Sequence, residues 1–232
     1  MTVELHRDDL PPGRTFGNAV AIDTETLGLN PYRDRLCLVQ LSRGDGNAEL
    51  VQLRRHYEAP ELKRLLADPS VLKIFHFARF DMAVLKHSLG IMPWPVYCTK
   101  IASRLARTFT DRHGLKDLAK ELLGIELSKQ QQSSDWGADQ LTQEQLSYAA
   151  SDVLYLHALK EKLEAMLVRE GRQGLAQACF AFLPTRVELD LKGWSEIDPF
   201  AHYQGRKWRQ RRLSTSLCGR NVIKVLRLSI VG

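Results

Sequence analysis

The sequence predicts a mixed α/β domain, a central sheet flanked by helices. Three observations point there. Short apolar runs crowd the first hundred residues, while helical periodicities dominate after them. Two of the runs are joined by the turn residues Gly44-Asp45-Gly46-Asn47, which predicts an antiparallel hairpin inside the sheet. The 232 residues are 44% hydrophobic and 26% charged, a balance that excludes disorder throughout and supplies a large core without staples.

The elements follow in chain order. Residues 19–23 (AVAID) form an apolar run ending in an acid, as a buried strand does, and residues 36–41 and 49–53 are the two arms of the hairpin. Residues 60–67 read as a helix with Leu62, Leu65 and Leu66 on one side, and residues 71–75 as a strand. A helix over 79–89 closes at Gly90. A brief strand at 96–98 leads to Thr99, placed to cap a helix to Arg107. A helix over 115–123 ends at Gly124. Thr142 with Gln145 forms a capping box that opens one long helix to about Val168, and 172–182 is a further helix. Residues 129–136 (KQQQSSDW) are a polar loop.

Charge divides the chain. Overall, 33 basic against 27 acidic residues give +6, but residues 203–232 hold eight basic residues and no acid. Residues 1–202 therefore carry 25 basic and 27 acidic residues, a net charge of −2. The basicity belongs to the tail, so a generally basic nucleic-acid binder is excluded for the body, which must meet any polyanion with local groups or bound cations. The expected organisation is one domain over 1–202 followed by a basic tail over 203–232. The chain has no run of about 18 apolar residues and no signal-like start, so neither a membrane span nor secretion is expected. The four cysteines, Cys37, Cys98, Cys179 and Cys218, are scattered without a CxxC pair, which fits reduced thiols in a cytoplasmic protein.

Five residues carry the chemistry. Asp23 and Glu25 lie two apart on a strand and project to the same side, beside apolar residues. Two unpaired carboxylates there would repel, and a hard divalent cation relieves that repulsion. Asp81 stands at a strand-to-helix junction in HFARFD. Tyr148 and Asp152 are four apart on the long helix and share a face. Taken singly, these are a solvated strand end, a helix-start acid and a surface pair.

Taken together, the order DxE, then FD, then YxxxD resembles the DEDD 3′–5′ exonuclease superfamily, in the tyrosine-bearing subgroup that includes ribonuclease D. The sibling subgroup places His five residues before the last Asp; here that position is Ser147, and Tyr148 stands four before it. The stretches AIDTETLGLNPYRDRLCLVQLS, KIFHFARFD, CTKIASRL, TDRHGLK, SKQQQSSDW, YAASDVLYLH and FLPTR are similar to the nanoRNase C family, compact ribonuclease-D-like enzymes of alphaproteobacteria that degrade very short RNAs. The resemblance covers about residues 17–202. One departure from the wider superfamily is Phe77, where many members carry Asn.

The resemblance implies a ribonuclease H-like exonuclease fold and two divalent ions, Mg²⁺ or Mn²⁺, about 4 Å apart. By the same resemblance Asp23 bridges both ions, Glu25 and Asp152 complete one site, and Asp81 supports the second. Tyr148, with an ordinary pKa near 10, is a poor base and is assigned to orienting the attacking water. The implied partner is short single-stranded RNA, with DNA as an alternative, and the implied assembly is a homo-oligomer of eight chains. Substrate-binding candidates are Thr24, Leu29, His76, Arg112, His113, Lys116, Gln132 and Ser133. Leu29 fits a wedge between two bases or ordinary core. His76 fits a contact to the scissile phosphate or a structural histidine. Arg107, Arg112, His113 and Lys116 fit a cap on a 5′-phosphate or a solvated basic face. Trp136 fits an anchor for its loop. The rival classes are a general ribonuclease-D-like exonuclease on longer RNA or DNA, and a non-catalytic nucleic-acid-binding module; the intact set of four acids and a tyrosine argues against the second.

Overall fold

The apolar runs of the first hundred residues assemble into one six-stranded sheet. A computed structural model describes residues 2–54, 57–128, 130–131 and 133–201. Its strands are β1 (Val3–Arg7), β2 (Ala19–Thr26), β3 (Leu36–Ser42), β4 (Ala48–Gln52), β5 (Leu72–Phe75) and β6 (Val96–Cys98), ordered β1-β4-β3-β2-β5-β6. β3 and β4 form the expected antiparallel hairpin, and β2 is antiparallel to β3 but parallel to β5. The sheet is therefore mixed. β3 and β4 are buried at every position, so they read as continuous apolar runs.

The helices are α1 (Pro60–Ala67), α2 (Ala78–Leu89), α3 (Thr99–Ala106), α4 (Leu115–Leu118), α5 (Gln143–Leu154), α6 (Leu156–Arg169) and α7 (Gln173–Leu189). α2 closes on Gly90 in the left-handed region, at φ 77°, as the sequence signal predicts. α4 runs on into a π turn (Ala119–Leu123) that ends at Gly124, with φ 71°. The capping box is formed, with Thr142 Oγ1 accepting from Gln145 N–H at 3.2 Å and Gln145 Oε1 accepting from Thr142 N–H at 2.9 Å.

Four local expectations are corrected. β1 was absent from the sequence reading, because VELHR is polar and its pairing with β4 is made across the whole hairpin. The single long helix breaks at Tyr155, whose φ −104° and ψ −2° depart from helical values, so α5 and α6 are separate. The helix expected to stop at 182 continues through Pro184 to Leu189, held by Phe180, Leu183 and Val187 in the core. Thr99 is not a cap: its hydroxyl donates to the Phe75 carbonyl at 3.1 Å, tying α3 to the end of β5.

Most of the core lies between the sheet and the helices. A second, smaller cluster of Cys37, Leu38, Leu50, Trp136 and Ala149, with Tyr148 packed on it, seats α5 on β3 and β4. Cys37, Cys98 and Cys179 are free thiols, and Cys218 lies outside the described residues. Among the described residues no helix is long and apolar enough to cross a membrane. The chain divides into Met1–Ile197 and Asp198–Gly232; the described part of the second unit is a turn closed by Ala201 N–H on the Asp198 carbonyl at 3.1 Å. The expected basic tail, 203–232, lies outside the described residues.

Candidate active site

β2 sits near the middle of the sheet, and its carboxyl end opens into a cleft of about 920 Å³. A ligand site outside the carboxyl ends of parallel strands is the general rule for such sheets. The strand runs past Asp23 to Thr26, with a register shift between Glu25 and Thr26. Asp23 is paired opposite Gln40 and Glu25 opposite Leu38, so both acids project from one face. α5 supplies Tyr148 and Asp152 one turn apart. Asp23, Glu25 and Asp152 each bring a carboxylate oxygen to within 4.8 Å of the others. Oxygen donors gathered this closely, with no basic side chain among them, suit a hard divalent cation.

Asp81 is buried in the first turn of α2 and stands behind this trio rather than on the cleft wall. The Thr24 hydroxyl donates to its Oδ1 at 2.7 Å, which fixes Asp81 to the neighbouring strand. Burial, with Asp81, Asp152 and Glu25 nearby, holds the Asp23 carboxyl well above the ordinary carboxylate range. Burial and the charges of Asp152 and Asp81 push Glu25 up to about 9. Burial raises Asp152 and Asp81 as well, opposed by the Tyr148 and Thr24 hydroxyls respectively. Four acids that all resist ionising together lack a counter-charge.

Tyr148 is half-buried beside Asp152, with its ring 6.1 Å from that of Trp136. Burial and the adjacent carboxylates raise its hydroxyl above the ordinary tyrosine value, which favours the protonated phenol at neutral pH. Trp136 is 2% exposed and packs into the smaller apolar cluster against the sheet.

The substrate candidates separate. Thr24, Leu29, His76, Lys116 and Ser133 line the cleft with Asp23, Glu25, Tyr148 and Asp152. Leu29 is 84% exposed, which rules out a core role. Its loop is braced: Asp34 Oδ2 accepts from Asn30 N–H at 3.0 Å, and a Cβ on Gly28 would stand 2.3 Å from that same oxygen, so a larger residue there would have to displace the Asp34 carboxylate. His76 Nδ1 lies 2.9 Å from the Thr99 hydroxyl, and burial and Lys100 lower its pKa to about 3, so the ring is neutral. Arg112 and His113 are not brought to the cleft. The Arg112 carbonyl accepts from Arg107 at 2.8 Å, and His113 Nδ1 is 2.8 Å from the Ser103 hydroxyl. Arg107 is 1% exposed and paired with Glu121, a structural arginine rather than part of a surface patch. Gln132 lies outside the described residues.

Sequence reasoning missed three contributors. Phe80 and Leu127 line the cleft but read as ordinary apolar residues. Gln40, opposite Asp23, did carry a signal: it is a polar residue inside LCLVQLS, a strand buried along its whole length.

The chain belongs to the 3′–5′ exonuclease family, whose profile matches residues 14–168. Among solved structures it is similar to Brucella melitensis NrnC with bound Mg²⁺, at 60% identity and a TM-score of 0.84, covering 88% of this chain and all of that one. NrnC of the same organism bound to pGG aligns at 61% identity and a TM-score of 0.85, with the same coverage. A curated relative, ribonuclease D of Granulibacter bethesdensis, is 32% identical over 91% of this chain and 53% of its own length. The chain thus spans about half the length of that relative.

Proposed function

We propose that this protein is a divalent-metal-dependent 3′–5′ exoribonuclease that hydrolyses very short RNA, two-nucleotide substrates foremost, to nucleoside 5′-monophosphates. The observation that carries the reading is the meeting of Asp23, Glu25 and Asp152 within 4.8 Å beside the exposed Leu29 in one cleft. The 60% identity to a protein solved with Mg²⁺, and to the same protein with pGG, supports the same cofactor and substrate class here.

Asp23, Glu25 and Asp152 would hold Mg²⁺ or Mn²⁺, with Asp81 supporting a second ion from behind Thr24. When bound, the ions neutralise the carboxylates, raise the acidity of the attacking water and stabilise the leaving 3′-oxygen. Tyr148 orients the water from the α5 side by a hydrogen bond. Leu29 packs between the two bases. Lys116 is the one lysine or arginine among the described lining residues and would meet the 5′-phosphate on this reading. The neutral His76 ring and Ser133 supply further hydrogen bonds. In the cell the chain acts as a cytoplasmic homo-oligomer on this reading.

Tyr148→Phe is expected to lower kcat by about 10- to 100-fold, the effect of losing one orienting hydrogen bond, with KM changed less than threefold. Steady-state kinetics on a 5′-phosphorylated dinucleotide reads this split, and a change confined to KM would remove Tyr148 from the chemistry.

Substrate length is the finer test. The body has net charge −2, and the carboxylate cleft is lined by a single lysine, not by an extended basic track for a long strand. A dinucleotide can meet the carboxylate-bound ions, Leu29 and Lys116 at once, whereas a longer strand must give up the contact to its 5′-phosphate. In a competition between 5′-labelled RNAs, the dinucleotide should be cleaved several-fold faster than RNA of about seven nucleotides, most clearly after truncation at His202. Even shortening of long RNA without that preference would favour a general exonuclease.

A further inference from the structure

Gln40 is a buried polar side chain without a partner. It is 0% exposed, and both Oε1 and Nε2 lack a hydrogen bond. Leaving both ends of a buried amide unpaired is unfavourable, and native folds seldom keep one without a use. Its strand neighbours explain how it is shielded: Leu38 lies two residues before it on the same face, Leu50 is paired opposite it on β4, and Ala149 of α5 packs on both. The register also says what it faces. Gln40 is directly opposite Asp23 on β2, and directly opposed residues of an antiparallel pair place their Cβ atoms about 5 Å apart on the same face. The nearest acceptor along that face is therefore the carboxylate placed at the centre of the candidate metal site.

We propose that Gln40 is a positioning residue for Asp23: its side-chain amide donates to the Asp23 carboxylate when that carboxylate is engaged by a divalent cation, and fixes which oxygens are turned to the cation. Donation to the engaged carboxylate would give this buried amide a partner, and part of the metal affinity would come from that pairing. Polar groups behind metal ligands act in this way, holding the orientation of the ligand and raising affinity by about 10- to 100-fold. The inference rests on the reading of Asp23, Glu25 and Asp152 as metal ligands.

The test uses the full chain and reads binding and stability rather than turnover. Gln40→Met and Gln40→Leu each come close to the original volume and remove both polar ends. Mn²⁺ affinity is measured by calorimetry, and melting is followed in excess chelator. Gln40→Met should melt no lower than the wild type in chelator yet bind Mn²⁺ about 10- to 100-fold more weakly, as for other groups behind metal ligands. Gln40→Leu should bind about as weakly as Gln40→Met. Mn²⁺ affinity within twofold of wild type in either variant would overturn the proposal. So would a Gln40→Met protein that fails to fold or melts well below wild type in chelator, because the amide would then already support the apo fold. Asp152→Asn separates the two layers of the argument. Weakened binding in Asp152→Asn with intact binding in Gln40→Met removes Gln40 alone, whereas intact binding in both removes the metal site and this inference with it.

Discussion

Asp23→Asn should lower turnover of a 5′-phosphorylated RNA dinucleotide by at least about 10³-fold, because each tenfold in rate is about 1.4 kcal/mol and a lost metal ligand removes several. The side chains are nearly isosteric, so the core around β2 loses no volume. The fold should even gain slightly in chelator, since burial and the charges of Asp81, Asp152 and Glu25 already oppose an ionised Asp23. Replacing it with a neutral amide removes that repulsion. Expected together, then, are a melting temperature in chelator equal to or above wild type and a loss of turnover at saturating Mg²⁺ or Mn²⁺. Asp152→Asn should behave alike, as a member of the same trio. Turnover within tenfold of wild type in either variant would displace the site from these residues.

Removal of divalent ions should abolish turnover, and their effect on stability should grow with pH. Glu25 is held at about 9 against an ordinary 4.5, so in chelator the folded state keeps a proton that the unfolded state has lost. A raised acid contributes stability that is complete below its unfolded value and lost as pH rises through its folded value, so the chelated protein weakens between about pH 5 and 9. A bound cation replaces that proton. The rise in melting temperature on adding Mg²⁺ or Mn²⁺ should accordingly be larger at pH 8 than at pH 6, by several degrees. Taking the difference with and without metal cancels groups that titrate alike in both states, among them His76, depressed to about 3, and Lys73, depressed to about 8. A stabilisation independent of pH, or activity retained after thorough chelation, would contradict this account.

The pairings within the candidate site were legible in the sequence because they rest on short-range geometry, while joining the pairs and Asp81 into one site rested on the family resemblance. A two-residue spacing on a strand sets Asp23 beside Glu25, and a four-residue spacing on a helix sets Tyr148 beside Asp152, whatever the rest of the chain does. The hairpin, the capping box at Thr142 and the closures at Gly90 and Gly124 were legible for the same reason: each is settled by a few neighbouring residues. The quantities that only the tertiary structure decided are those that depend on distant partners. β1 exists because β4 offers it an edge, not because VELHR has strand character. The helix after Thr142 breaks at Tyr155, which no local signal marks, and α7 survives Pro184 because its apolar face is buried in the core. Burial decides both Arg107 and Leu29: the arginine is paired with Glu121 inside the fold, against either surface reading, and the exposed leucine loses the core reading of its two. Gln40 acquires meaning only through its register, since nothing nearer than 17 residues along the chain places it opposite Asp23. Local periodicity fixes which side chains share a face, while hydrophobic burial and strand pairing across the whole chain determine which faces meet.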